Sequence, residues 1–214
     1  MLRALFCLAS LTCGVDLRAQ STSIIVEGRS GPRSVLAEDR EISLARSAAP
    51  AAVSESATVW LWRGDRYERA AEGTNGVECY VSRSWAASIE PHCFDAEGAA
   101  TIMLMEMRRV ELRHIGLADS TVERRITADL AAGRYRLPSR PALSWMMSAG
   151  QELIGDDGNP AGNWRPHLMI YFPHLTAGGL GLTSEPDIRH AILVDAGLPS
   201  SNLMIVVSDF IEPR

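Results

Sequence analysis

The stretch 58–95 constrains the fold most, because it combines extended segments, tight turns and two cysteines. β-branched and aromatic residues fill 58–62, and further extended segments at 66–70 and 77–81 each follow a turn that contains glycine. Short turns of this kind between extended segments are typical of antiparallel strands. The pattern therefore predicts a β-meander over 58–81.

The two cysteines of this stretch predict a disulfide. Cys79 lies on the last predicted strand, and Cys93 is expected in the loop that follows it. In an oxidising compartment two such cysteines most simply pair, and a bond that closes a loop of ~15 residues contributes ~3 kcal/mol in the loop-entropy model. The alternative is a free nucleophilic thiol, but nothing in the sequence marks a base beside either sulfur.

The first residues have the pattern of a secretory signal peptide. A positive start at Met1–Arg3, an apolar stretch at 4–15 and the small residue Ala19 predict a leader over 1–19 and therefore an exported protein, periplasmic or secreted. The alternative is a lipoprotein anchored through Cys13. Leu11 lies one position closer to this cysteine than the leucine of the usual bacterial lipoprotein motif. No later apolar run reaches ~18 residues, so no transmembrane segment is predicted.

The rest of the chain divides into two parts. Residues 20–37 are rich in Ser, Gly and Arg and are predicted to form a flexible N-terminal segment. Residues 38–214 are predicted to form a single globular domain, because their number is typical of one domain with a proper core.

Helical periodicity and capping signals predict three helices. The first covers Glu38–Ala49, where apolar residues recur on one side. Asp95 is suited to cap a second helix that runs to about Ile115, and Ser120–Glu123 is a capping box that opens a third helix ending at Gly133.

Four more strands are predicted after these helices, at 142–148, 166–172, 190–194 and 202–207. The last has a nearly continuous apolar run, which indicates a central or well-covered strand. Strands, then helices, then strands predict an α+β fold, in which an antiparallel sheet packs against two or three helices.

Composition excludes several classes of activity. All 21 basic residues are arginine, so a Schiff-base lysine, a P-loop and the lysine-dependent protein-kinase site are impossible. The formal net charge is −5 and no basic run occurs, so the sequence offers no electrostatic footprint for nucleic acid.

The sequence predicts no metal site and no cofactor. No zinc-binding motif of the HExxH or CxxC type occurs, and the loop that begins at Asp157 departs from a calcium loop after its first positions. His92 and His167 are the only weak candidates for a catalytic base.

One segment is typical of a ligand-binding wall. Five aromatic or basic residues surround a predicted strand after a long polar loop, where they can line a pocket for an anionic or aromatic ligand. The alternative is a loop anchored by a buried Trp and a solvated Arg. The five residues are Trp164, Arg165, His167, Tyr171 and His174.

Three hypotheses for the function follow. The first is a non-catalytic exported domain that binds a small molecule or another envelope component. The second is an extracytoplasmic hydrolase whose histidine base is oriented by a carboxylate next to a nucleophile or metal. The third is a structural or assembly module of the cell envelope, recognisable by an exposed apolar patch.

Overall fold

The computed structural model describes residues 31–85, 87–155, 157–182 and 191–214. An eight-stranded, mostly antiparallel sheet with helices on both faces confirms the predicted α+β class. The predicted leader, Cys13 and most of the 20–37 segment lie outside the described residues. The strands are β1 (Thr58–Trp62), β2 (Tyr67–Ala71), β3 (Glu78–Ser82), β4 (Glu90–Phe94), β5 (Ala142–Met146), β6 (His167–Tyr171), β7 (Ile192–Val194) and β8 (Asn202–Val206). The helices are α1 (Glu38–Ser47), α2 (Ala51–Ser54), α3 (Ala96–Gly98), α4 (Leu104–His114), α5 (Asp119–Ala131) and α6 (Ala177–Leu180), with a π-helical segment at Ala99–Met103.

The order of the strands is β2-β1-β3-β4-β5-β6-β8-β7, and the first three do not form a simple meander. β1 and β2 make the predicted hairpin, but β3 pairs with the opposite edge of β1 and runs parallel to it. Gly73 permits this crossing beneath β1, because a Cβ at that position would lie 2.2 Å from the backbone nitrogen of Thr58. Gly73, predicted to be a turn residue, therefore lies where two backbone segments approach closely.

Alternate residues of the central strands point to two separate cores. On the face that we call the α1 face, Leu44 and Ala45 of α1 pack on Val59, Leu61 and neighbouring residues of β3 and β4. On the opposite face, the α4 face, the predicted methionine stripe of the second helix is buried. It packs on aromatic residues of β1, β3 and β4, and the residues of this core include Trp62, Tyr80, Phe94, Met103, Met107 and Val110.

A buried ion pair ties α1 to the sheet. Arg83 and Glu41 are 0% and 1% exposed, and their side chains are 2.8 Å apart. The same Glu41 carboxylate accepts a hydrogen bond from the backbone nitrogen of Trp62, while Arg83 donates to the carbonyl of Val81. Hydrogen bonds to both partners offset part of the cost of removing two charges from water.

The predicted disulfide joins Cys79 and Cys93. The structure corrects the place of Cys93, which lies with His92 on strand β4 and not in a loop. The two cysteines are direct partners in the antiparallel β3–β4 pair, and both are fully buried beneath α1. The segment was missed as a strand because Pro91 and His92 interrupt its β-branched pattern.

The apolar periodicity located the helices well, but one start signal was wrong. Asp95 caps α3 as predicted, accepting a hydrogen bond of 2.8 Å from the backbone nitrogen of Gly98. The capping box predicted at Ser120 is absent, because α5 begins at Asp119 and its N-cap is Ala118, two residues before Ser120. Asp119 instead accepts a hydrogen bond of 2.7 Å from the side chain of Arg113 at the end of α4.

The α1 face is open over the second half of the sheet. Leu168, Ile170 and Leu203 are half-buried there, and Ile205 is 37% exposed. The last strand, β8, is an interior strand, as its apolar run predicts, because it lies between β6 and the edge strand β7. Its residues on the α1 face are nevertheless only partly buried or exposed. Within the described ranges, no helix is long and apolar enough to cross a membrane.

Candidate functional site

His92 is buried in an aromatic cluster on the α4 face. Its ring lies 4.2 Å from that of Phe94 and 6.0 Å from that of Tyr80, measured between centroids. Nε2 is buried and has no hydrogen-bond partner. Burial, with a smaller contribution from nearby His167, lowers the pKa of His92 to about 3. The imidazole is therefore neutral at physiological pH and is held as a packing group.

His167 is 2% exposed on the same face of the sheet. Cys93 pairs with Trp145 and Met146 pairs with His167, so β5 separates the two histidines. The Nδ1 atom of His167 lies 2.6 Å from the carbonyl oxygen of Arg165, and burial lowers the pKa of the imidazole. Of the four histidines in the described ranges, none is hydrogen-bonded to a carboxylate.

The other predicted ligand residues lie in different environments. Tyr171 is buried at the far end of β6, with its hydroxyl on the sulfur of Met169. His174 is exposed beyond that strand, at φ 63°, with Nδ1 against the carbonyl of Gly197. Trp164 and Arg165 are exposed in the preceding loop, where the backbone of Trp164 is bonded to Gln151.

One buried acid on the α4 face was not predicted from the sequence. Glu90 stands two residues before His92 on β4 and accepts hydrogen bonds from the backbone nitrogen and the hydroxyl of Ser84, at 2.9 and 3.3 Å. Burial raises the pKa of Glu90. Among the described residues, no group of three or more His, Cys, Asp or Glu side chains is placed to hold a metal ion.

A concave site lies beside α1, at the border of the α1-face core. It is a cavity of about 300 Å³ lined by α1, α2 and the segment 211–214. This volume is at the lower end of the range for ligand pockets, so the site suits a small molecule. Its walls combine charged, hydroxyl and aliphatic groups, which are Asp39, Ile42, Ser43, Arg46, Ser47, Ala49, Ala51, Ser54, Glu55, Ile211, Glu212 and Arg214.

The helical repeat places one row of these residues along the cavity. Asp39, Ile42, Ser43 and Arg46 are spaced by three and four positions, so they share one side of α1. The opposite side of the same helix carries Leu44, which is buried in the α1-face core. The amphipathic helix therefore supplies both a core face and a cavity wall.

The facing wall is held in place by backbone hydrogen bonds. Ile211 donates to the carbonyl of Met147 and accepts from the nitrogen of Ala149, both at 2.8 Å. Arg214, at the end of this wall, lies 3.9 Å from Glu55. These bonds fix the segment 211–214 beside α1 and α2, although it is far away in sequence.

Arg46 is the distinctive group of the cavity. Its Nε atom is buried and has no hydrogen-bond partner, and no carboxylate of the described chain forms an ion pair with its guanidinium. By contrast, Ser47 and Ser54 direct their hydroxyls to backbone carbonyls of Leu44 and Ala49. Arg46 is therefore a cation with unused donors in the wall of a small cavity.

The sequence contains only part of this site. The spacing of Asp39 and Arg46 follows from the predicted helix, but the facing wall at 211–214 comes from the other end of the chain. No local pattern indicates that these segments meet.

Comparison of the chain with protein-family models, with curated proteins and with solved structures finds no match.

Proposed function

We propose that the protein is an exported, non-catalytic domain that binds a small molecule through an anionic group in the cavity beside α1. The observation that carries this proposal is the buried Nε of Arg46, which has no partner in the cavity wall. The proposal keeps the first hypothesis drawn from the sequence but moves the site away from Trp164 and its neighbours.

The energetics of Arg46 favour an anionic ligand. A buried donor that lacks an acceptor costs about 1–3 kcal/mol, and more for a charged group. A carboxylate or phosphate on the ligand supplies oxygen acceptors that match the planar guanidinium fork. Binding at this site thus gives the guanidinium of Arg46 a charged partner that the described residues do not supply.

The chemistry of the cavity supports binding without catalysis. Its wall residues include serines and carboxylates but no histidine or cysteine. The hydrolase hypothesis requires a histidine within hydrogen-bond reach of Asp or Glu. Each described histidine instead contacts a backbone group or, as at His92, has an unpartnered Nε2.

The disulfide supports the export part of the proposal, because such bonds persist in oxidising compartments. The intact mass of protein purified from its native envelope separates the two forms of export. Cleavage near Ala19 identifies a free protein, whereas a diacylglycerol mass on Cys13 identifies a lipoprotein.

Thermal unfolding with a panel of small anions tests the binding function. The probes are acetate, phosphate, N-acetyl-leucine, leucine and glycyl-leucine at millimolar concentration. We expect at least one of them to raise the melting temperature by several degrees, since a ligand at 100 times its Kd adds about 2.7 kcal/mol. Arg46→Gln is expected to abolish the shift.

Arg40→Gln is the matched control, because Arg40 is on the same helix but is exposed and paired with Glu152, 3.1 Å away. This variant is expected to keep the shift. If no probe stabilises the wild type, or if Arg46→Gln folds and retains the full shift, the proposed function is wrong.

A further inference from the structure

The wall of the cavity beside α1 carries groups of opposite charge. Asp39 precedes Arg46 by two helical turns on the same side of α1, which separates their backbones by about 10 Å at ~1.5 Å per residue. Side chains on a helix lean toward its N-terminus, so the guanidinium extends from Arg46 toward Asp39. Even so, no ion pair joins the two among the described contacts, so a gap remains between the charges.

Unpaired acids also line this cavity. Asp39 and Glu212 line the wall, and neither makes a hydrogen bond or ion pair within the part of the chain that the structure describes. Glu55 is only loosely engaged, 3.9 Å from Arg214. The cavity thus presents free carboxylates as well as a free guanidinium.

The surface between the charges is aliphatic. Ile42 and Ile211 contribute the larger side chains, and Ala49 and Ala51 leave room beside them. A volume of about 300 Å³ corresponds to roughly ten water molecules at ~30 Å³ each in the liquid. The cavity therefore fits a compact ligand with a short apolar body.

We infer that the ligand is a small zwitterion, of the kind shared by free amino acids and dipeptides. Its carboxylate binds Arg46, its ammonium binds Asp39 with Glu212 nearby, and its apolar body packs on Ile42 and Ile211. This inference rests on the proposed function, since it names the ligand class of the same cavity. A simple anion would satisfy Arg46 but would meet the unpaired acids of the same cavity.

Calorimetric titration of the full chain with matched compounds tests the inference. Leucine and glycyl-leucine carry both charges, N-acetyl-leucine lacks the ammonium, and leucinamide lacks the carboxylate. We expect at least one of the zwitterions to bind about tenfold more tightly than either singly charged compound, the size of one hydrogen bond to a charged group. Comparing leucine with glycyl-leucine distinguishes an amino acid from a dipeptide.

Variants of the acidic residues identify the ammonium site. Asp39→Asn is expected to lower the affinity for the preferred zwitterion about tenfold and to leave that for N-acetyl-leucine unchanged. Glu212→Gln gives a second, independent measurement at the facing wall. Asp65→Asn is the control, because Asp65 lies in an exposed turn outside the cavity wall and pairs with Arg66.

The outcomes separate the two proposals. If N-acetyl-leucine binds as tightly as both zwitterions, the ammonium has no partner and the inference is overturned, while anion binding stands. The same holds if Asp39→Asn and Glu212→Gln both leave zwitterion binding unchanged. If leucinamide binds as tightly as both zwitterions, or if neither these compounds nor acetate and phosphate bind, the role of Arg46 fails and both proposals are wrong.

Discussion

At the scale of single residues, the most consequential burial is that of ionisable groups in the α4-face core. His92 is 6% exposed and its Nε2 has no partner, yet its ring packs well between two aromatic neighbours. The ring of His92 stabilises the fold through its packing contacts, but protonation of the same ring at acidic pH opposes folding. From the sequence His92 is a candidate catalytic base, because the sequence does not show the core that surrounds its side chain.

Acid is therefore expected to destabilise the protein through His92. Its pKa falls from 6.5 to about 3 on folding, so the unfolded chain binds the proton first as the pH drops. Stability from this group is complete above pH 6.5 and is lost toward pH 3, on the order of a few kcal/mol. His92→Phe keeps the aromatic contacts and should reduce this loss, measured by urea denaturation at pH 7 and pH 4.

His174→Asn serves as the control for this comparison. It removes an exposed imidazole and supplies a residue that tolerates the positive φ of 63°. This variant leaves the buried imidazole of His92 in place, so it should keep the loss of stability that His92 causes. Identical pH dependence for His92→Phe and the wild type would contradict a buried neutral imidazole.

At the scale of elements, the β3–β4 pair is the covalently closed unit of the fold. Cys79 and Cys93 face each other across this pair, beneath α1. A bond at this place fixes the pairing of two strands and closes the loop of ~15 residues between them. It also lies where a reductant has no access in the native state.

Removing the bond should destabilise the protein without changing the fold. The double change Cys79→Ala and Cys93→Ala is expected to lower the free energy of unfolding by about 3 kcal/mol, the value for a loop of this size. Urea denaturation of the variant and of the oxidised wild type measures the difference. Because both cysteines are 0% exposed, dithiothreitol should leave the native bond intact, and rapid reduction without denaturant would contradict that burial.

The elements also show which sequence signals were sufficient. Alternation and turn residues located β1, β5 and β6 closely, because these strands carry β-branched or aromatic residues between clear breaks. β4 was missed because its pattern is irregular, and the parallel β1–β3 pairing was missed because it depends on the close approach at Gly73. Strand identity is a local property, whereas the pairing of strands is decided by contacts distant in sequence.

At the scale of the whole molecule, the same division applies to the candidate site. Helical spacing predicts that Asp39 and Arg46 lie on one side of α1. That they line a cavity depends on the segment 211–214, which forms the facing wall. The residues favoured from the sequence were clustered near one strand, 166–172. Strand β6 buries His167 and Tyr171, whereas Trp164, Arg165 and His174 lie outside that strand and are exposed.

The two faces of the sheet are unequally covered across its width. α1 and α4 enclose β3 and β4 from both sides, while β7 is a short edge strand beside the half of the α1 face that is open. In amide hydrogen exchange, backbone groups open either locally or with the whole molecule, according to how well they are covered. We expect Tyr80 and Val81 to exchange only through global unfolding and β7 to exchange orders of magnitude faster, as hydrogen-exchange mass spectrometry can measure. Equal rates in β3 and β7 would contradict this gradient.

The amide of Ile211 belongs to neither class, since its hydrogen bond to the carbonyl of Met147 holds the wall of the cavity beside α1. A bound ligand should therefore slow exchange there first, giving the site a readout that does not depend on activity.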